Sequence, residues 1–190
     1  MLCDRIALML PEETRTEPVA AVNPFTAVDV AAILHKQAWQ APEPSAEQLA
    51  WCERAAALLG PHAADRAALA GLLALVFHYD AHKIIAQVDS HVVLSRYAAR
   101  DVLRQLALLL LDGAPLTSGR FKEIVSALKD GLDLRGRELF HPLRLALAGR
   151  AGEGDLDRVI LLLDEAASLP FAVLVKSARA RILEFCAALD

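Results

Sequence analysis

Two short stretches hold side chains whose types and spacing bear on chemistry. In "HYDAH", His78 and His82 stand four residues apart, which on a helix would present two imidazoles to one zinc ion. A zinc site needs at least three protein ligands, and no pattern supplies Asp80 or His91 as the third, so surface histidines and no metal are expected. The second stretch, "GRELFHPLRLALAGR" from Gly136 to Arg150, sets three arginines and a histidine into a segment that otherwise reads as a packed helix. Arg137 and Arg150 lie at its two ends and Arg144 at its middle, so the terminal pair can project to an anionic ligand. The middle one can snorkel to carbonyls or a carboxylate and hold helices together.

No other constellation points to catalysis. There is no G-x-S-x-G, no glycine-rich phosphate loop and no cysteine in a persuasive histidine setting, so no cofactor is expected. The acid pairs Asp155 with Asp157 and Asp164 with Glu165 sit at expected helix ends, where the first pair favourably meets the helix dipole. Cys3, Cys52 and Cys186 are odd in number and far apart, which fits reduced thiols packed as small hydrophobes.

These residues must be positioned by helices. More than half of the 190 residues are apolar, leucine and alanine dominate, and glycines and β-branched runs are few, so the expected class is all-α. The longest apolar run, "LALLLL" from Leu106 to Leu111, is far too short to cross a membrane. The N-terminal "MLCDRIALML" interleaves acid and base without a small-residue cleavage site, so a cytoplasmic location is expected.

About eight helices follow from periodicity and punctuation. Thr26 opens "AVDVAAILHKQAW"; Ser45 and Gln48 form a capping box for the next; Gly60 and Pro61 end it; Asp65 opens a third. Residues 80–93 give no clear pattern. Ser95 is the expected start of "RYAARDVLRQLALLLLDG", with Val102, Leu103, Leu106, Leu109 and Leu110 on one apolar face. Thr117 or Ser118 caps a helix ending at Gly131, with Phe121, Ile124, Val125 and Leu128 inward and Lys122 and Lys129 outward.

Pro142 fits the first turn of "PLRLALAG", ended by Gly149; Asp155 caps "DLDRVILLLDEAASL"; Pro170 begins the last helix. On that last helix Lys176 and Arg179 share a face, with Arg181 in the same solvated set. Phe121, Phe140, Phe171 and Phe185 are expected in the core. The organisation read from this is a proline-containing arm over 1–25, an N-terminal helical subdomain over 26–119 and a C-terminal one over 120–190.

The formal net charge is −4, yet Arg120 to Arg150 holds seven basic against four acidic residues, a local +3 that leaves −7 to the rest. That segment carries the most specific pattern in the chain. "LRGRELFHPLRLALAGR", with "RFKEIVSALKDG" before it and "DLDRVILLLDEA" after it, resembles the C-terminal anticodon-binding region of bacterial glutamyl-tRNA synthetases. There the run reads approximately G-x-K-G-K-x-L-F-x-P-L-R-x-A-L-T-G-R. Gly136, Leu139, Phe140, Pro142, Leu143, Arg144, Ala146, Leu147, Gly149 and Arg150 match it. The likeness extends more faintly over about Leu49 to Leu189.

The sequence departs from that pattern at Ala148, where the family has threonine, and at "AGEGDL" from Ala151 to Leu156, where it has H-G-P-E-L. The H-I-G-H and K-M-S-K-S signatures of adenylate formation are absent.

The resemblance implies a compact helical array that binds tRNA, glutamate tRNA being the natural candidate, with catalysis elsewhere. The cations it nominates for RNA contact are Arg135, Arg137, Arg144 and Arg150, supported by Lys122, Lys129, Lys176 and Arg179. The competing reading, given the acidic remainder of the chain and its surplus of apolar helix faces, is a protein-interaction or homodimerisation module that kept the fold and lost RNA binding.

Overall fold

The chain is described by a computed structural model covering residues 24–189; all but Pro24 and Phe25 of the arm expected over 1–25 lie outside the described residues. Helix is its only extended regular structure, and the described residues contain no strand. In order they form α1 (Ala27–Lys36), α2 (Ala46–Leu59), a 3-10 turn (Gly60–His62), α3 (Arg66–Phe77), α4 (Ala81–Ile85) and α5 (Val88–Leu94). Then follow α6 (Ala99–Leu110), α7 (Ser118–Leu132), α8 (Arg137–Ala148), α9 (Asp155–Ile160), α10 (Leu163–Ser168) and α11 (Ala178–Leu189).

Several boundaries are set by single side chains. The Thr26 backbone N–H and hydroxyl both donate to Asp29 at the start of α1. Ser45 and Gln48 exchange bonds as a capping box, and Asp65 and Thr117 accept from the third backbone N–H of α3 and α7. Gly149 ends α8 at φ 86°, a left-handed residue whose missing Cβ also spares a 3.3 Å approach to Ile84 Cδ1.

Elsewhere the elements differ from the periodic reading. Residues 80–93 hold two short helices. Ser95 closes α5, its N–H bonded to the His91 carbonyl, so α6 begins later, at Ala99. Gly131 lies inside α7, and the left-handed residue that ends that helix is Asp133, at φ 50°. Pro142 is inside α8, not at its first turn. It forfeits only the bond to the carbonyl of Glu138, an exposed residue in the opening turn.

The helix expected to start at Asp155 takes Gly154 as its N-cap and breaks at Leu161–Leu162 into α9 and α10. Beyond that break Asp164 accepts from Leu116 N–H at 2.6 Å and from Ala178 N–H at 2.7 Å, capping α11 from a distance. Residues 170–177 are not helical. Phe171 instead joins Trp39, Trp51 and Phe77 in an aromatic cluster, and Ala172 N–H donates to the Trp39 carbonyl at 2.8 Å.

One continuous cluster of buried apolar side chains runs from Val30 to Phe185. α8 is its axis: every residue from Pro142 to Ala148 is buried, and the helix packs on α5, α6, α9 and α11. A helix apolar on nearly all sides must be surrounded, and its two ends are where it meets solvent.

Candidate nucleic-acid interface

Because α8 is enclosed, its polar groups are either satisfied inside or displayed at its ends. Arg144 is the internal case. Its Nε and one terminal nitrogen donate to the two Asp157 carboxylate oxygens at 2.7 and 2.8 Å, and the other terminal nitrogen donates to the Gly152 carbonyl at 2.7 Å. The guanidinium also lies 4.8 Å from the Phe140 ring centroid. With its side chain only 11% exposed, Arg144 ties α8 to α9 and to the Gly149–Gly154 loop, the structural alternative for this residue.

Arg135 and Arg137 are exposed where the α7–α8 connection enters α8, beside Gly136 at φ 56°. Arg150 is exposed at the opposite end, with Asp155 no nearer than 4.0 Å. Arg150 and His62 line an open depression of about 650 Å³ together with residues 151–156. Lys122 and Lys129 are exposed on α7, two turns apart on one side.

The remaining nominated cations are not brought together. Lys176 lies in the extended segment before α11, so it shares no helix face with Arg179. It pairs with Glu184 at 2.5 Å and donates to the Tyr79 carbonyl at 3.2 Å. Arg179 is exposed beside Gly113 at the α6–α7 turn.

Two arrangements escaped the sequence. Arg181, expected on a solvated face, is wholly buried. Its guanidinium donates to the carbonyls of Lys176, Leu75, Leu147 and Val76 at 3.1, 2.9, 2.8 and 2.5 Å. Leu75, Val76 and Leu147 are in the last turns of α3 and α8, so one cation answers the negative ends of two helix dipoles. Burial, opposed by Tyr79 and Glu184, pulls its pKa down to about 10, and the group stays charged at neutral pH. The Tyr79 hydroxyl completes the knot by donating to the Ala146 carbonyl at 2.6 Å; burial raises its own pKa. Nothing in the "SARAR" pattern distinguishes the arginine that turns inward.

The second is at the start of α8. Arg96, from the stretch between α5 and α6, approaches the Arg137 carbonyl and His141 Nδ1, each at 3.4 Å. An arginine can only donate, so Nδ1 accepts and His141 is neutral there. Partial burial first, then Arg96, Arg137 and Arg144, hold its pKa below the ordinary histidine value. This cationic neighbourhood is what an anionic ligand would meet.

His78 and His82 do not share a helix: His78 follows the end of α3, and His82 belongs to α4, which Asp80 caps. No group of three histidine, cysteine, aspartate or glutamate side chains able to hold a metal occurs among the described residues. Of the thiols, Cys52 is fully buried, which pushes its pKa to about 11, and Cys186 is half-buried.

The all-helical array agrees with what family comparison finds. The anticodon-binding domain family matches residues 19–169, most of the chain, and the protein belongs to that family. Over 77 residues it is 32% identical to glutamate–tRNA ligase 2 of Syntrophus aciditrophicus (strain SB), an alignment covering 40% of this chain and 16% of that enzyme. No solved structure matches. Among the described residues no helix is long and apolar enough to cross a membrane.

Proposed function

We propose that this chain binds tRNA, with glutamate tRNA as its cognate partner, and that it supplies recognition while adenylate formation and aminoacyl transfer belong to sequence it does not contain. Membership of the anticodon-binding domain family is the observation that carries this reading. The exposed Arg135, Arg137 and Arg150 at the two ends of α8, with Lys122 and Lys129 on α7, are the phosphate contacts. Arg144 acts beneath them by fixing α9 and the 149–154 loop.

Phosphate neutralisation of this kind makes affinity fall steeply with salt. Fluorescence titration with glutamate tRNA and with an unrelated tRNA, at two salt concentrations, tests it: tighter, salt-dependent binding of the glutamate species is expected. Absence of binding at low salt defeats the proposal.

One observation favours a protein contact as well. Val88 and Val92 are exposed one turn apart on α5, and Tyr97 stands fully in solvent just beyond it. Sedimentation of the chain alone, with a concentration-dependent rise in mass as the positive result, decides whether this face pairs with a second copy.

A further inference from the structure

We propose that the crease between α6 and α11 is a docking surface for an amphipathic helical segment of another protein, apolar along one face and acidic at both ends. The surface is separate from the cations assigned to RNA above, so the two readings stand or fall independently. Arg100, Arg104, Leu108 and Leu111 recur along α6 at helical spacing, and all four are exposed. Leu111, just past the last residue of α6, keeps helical dihedrals, so the row is continuous.

α11 runs antiparallel beside this row. Arg179 lies against Gly113 at one end of α6, and Cys186 and Leu189 share a small depression with Arg100, Leu103 and Arg104 at the other. Leu183 stands one turn from both Arg179 and Cys186, so it borders the same crease between these two contact points. Leu108, Leu111 and Leu183 are 59%, 46% and 39% exposed. With arginines at both ends they make an apolar centre inside a basic rim, the anatomy of a contact surface.

The rim selects the occupant. Arg100 and Arg179 form no ion pair among the described residues, and Arg104 has only an exposed contact with Asp101 at 4.0 Å. Asp112 lies in the field of Arg179, but its carboxylate already accepts from the Arg120 guanidinium and from Ala114 N–H. Glu184, also on α11, is taken by Lys176 at 2.5 Å.

A second copy of this chain does not suit the strip, because two-fold pairing of a surface basic at both ends sets arginine against arginine in either orientation. RNA would satisfy the arginines and strand the leucines, since neither α6 nor α11 exposes an aromatic ring to a base. A helix with leucines on one face and glutamate or aspartate at its ends answers both the centre and the rim.

The test titrates the full nitrogen-15-labelled chain with three synthetic helical peptides. One carries leucines at i, i+4 and i+7 between pairs of glutamates, one has those glutamates replaced by lysines, and one has the leucines replaced by serines. The acidic leucine peptide is expected to bind saturably, on the order of 100 μM or tighter, and at least about tenfold more tightly than either counterpart. The amide signals of Leu108, Leu111 and Leu183 should shift with it. Leu108→Ser should weaken binding about tenfold, and Arg100→Glu combined with Arg179→Glu should transfer the preference to the lysine peptide. These positions are exposed, and urea midpoints near the wild-type value verify that the variants are folded.

No saturable binding of the acidic peptide overturns the proposal, as does equal binding of all three peptides or an acidic preference that survives the double charge reversal. A rise in mass on sedimentation that Leu108→Ser removes assigns the crease to a second copy. Loss of tRNA binding in Leu108→Ser assigns it to RNA, and nuclear Overhauser contacts from residues 1–23 to Leu108 or Leu183 in the chain alone assign it to that segment. Each of these three results also overturns it.

Discussion

Arg144 and Asp157 face each other as a two-bond ion pair across the junction of α8 and α9, both largely out of solvent, with the Gly152 carbonyl taking the remaining guanidinium edge. Removing one member strands the other. Arg144→Ala is expected to cost about 3 kcal/mol or more, read as a lowered urea midpoint, and the double variant with Asp157→Asn should cost less than the two single losses added.

Arg181→Met should be at least as damaging. It removes the donor shared by carbonyls at the ends of α3 and α8, a loss of about 3 kcal/mol or more. Arg181→Lys is expected to rescue little, because a single ammonium cannot span the fork of acceptors. Equilibrium unfolding of the two variants side by side checks the claim, and near wild-type stability of either would refute it.

At the ends of α8 the opposite split is expected. Arg137→Ala and Arg150→Ala should change stability by no more than about 0.5 kcal/mol, since both residues are exposed. Each should weaken tRNA binding at low salt and flatten the salt slope by about one. A normal slope in both would move the RNA surface away from α8.

His141 gives the fold a pH dependence whose sign can be stated. Its folded-state pKa lies below the ordinary 6.5, so as pH falls the unfolded chain takes up the proton first. Stability fully present above that ordinary value is therefore lost as pH drops through the folded one. His141→Gln should remove part of the difference in unfolding free energy between about pH 5 and about pH 8. An identical difference in both proteins would show that other groups carry it.

Glutamate-dependent exchange of pyrophosphate with ATP is expected to be absent from this chain, which lacks the nucleotide-binding signatures of the synthetases. Measurable exchange by homogeneous protein would contradict that division of labour.

What could be read from the sequence was local. Ser45 with Gln48, Asp65, Thr117 and Gly149 each mark a boundary through a bond or dihedral made within a few residues, and each does so in the fold. What depends on distant partners was invisible. Residues 170–177 stay extended because Phe171 packs on Trp51 and Phe77 and Ala172 N–H is bonded to the Trp39 carbonyl; α11 then begins at Ala178, where Ser177 accepts from Ala180 N–H and Asp164, fourteen residues earlier, accepts from Ala178 N–H. Pro142 was misplaced because proline marks a first turn only when nothing upstream is helical, and here Arg137 to His141 are.

The candidate site divides the same way. Arg135, Arg137 and Arg150 stand out by composition and are exposed, whereas the approach of Arg96 to His141 emerges only when the stretch between α5 and α6 is set against α8.

Both tryptophans of the chain, Trp39 and Trp51, are buried in one cluster with Phe77 and Phe171, whose members come from the start, middle and end of the sequence. Intrinsic emission therefore reports a single event, the parting of segments that lie far apart along the chain. Neither indole lines the depression at Arg150. The protein thus carries an optical gauge of its own integrity, readable without any added label.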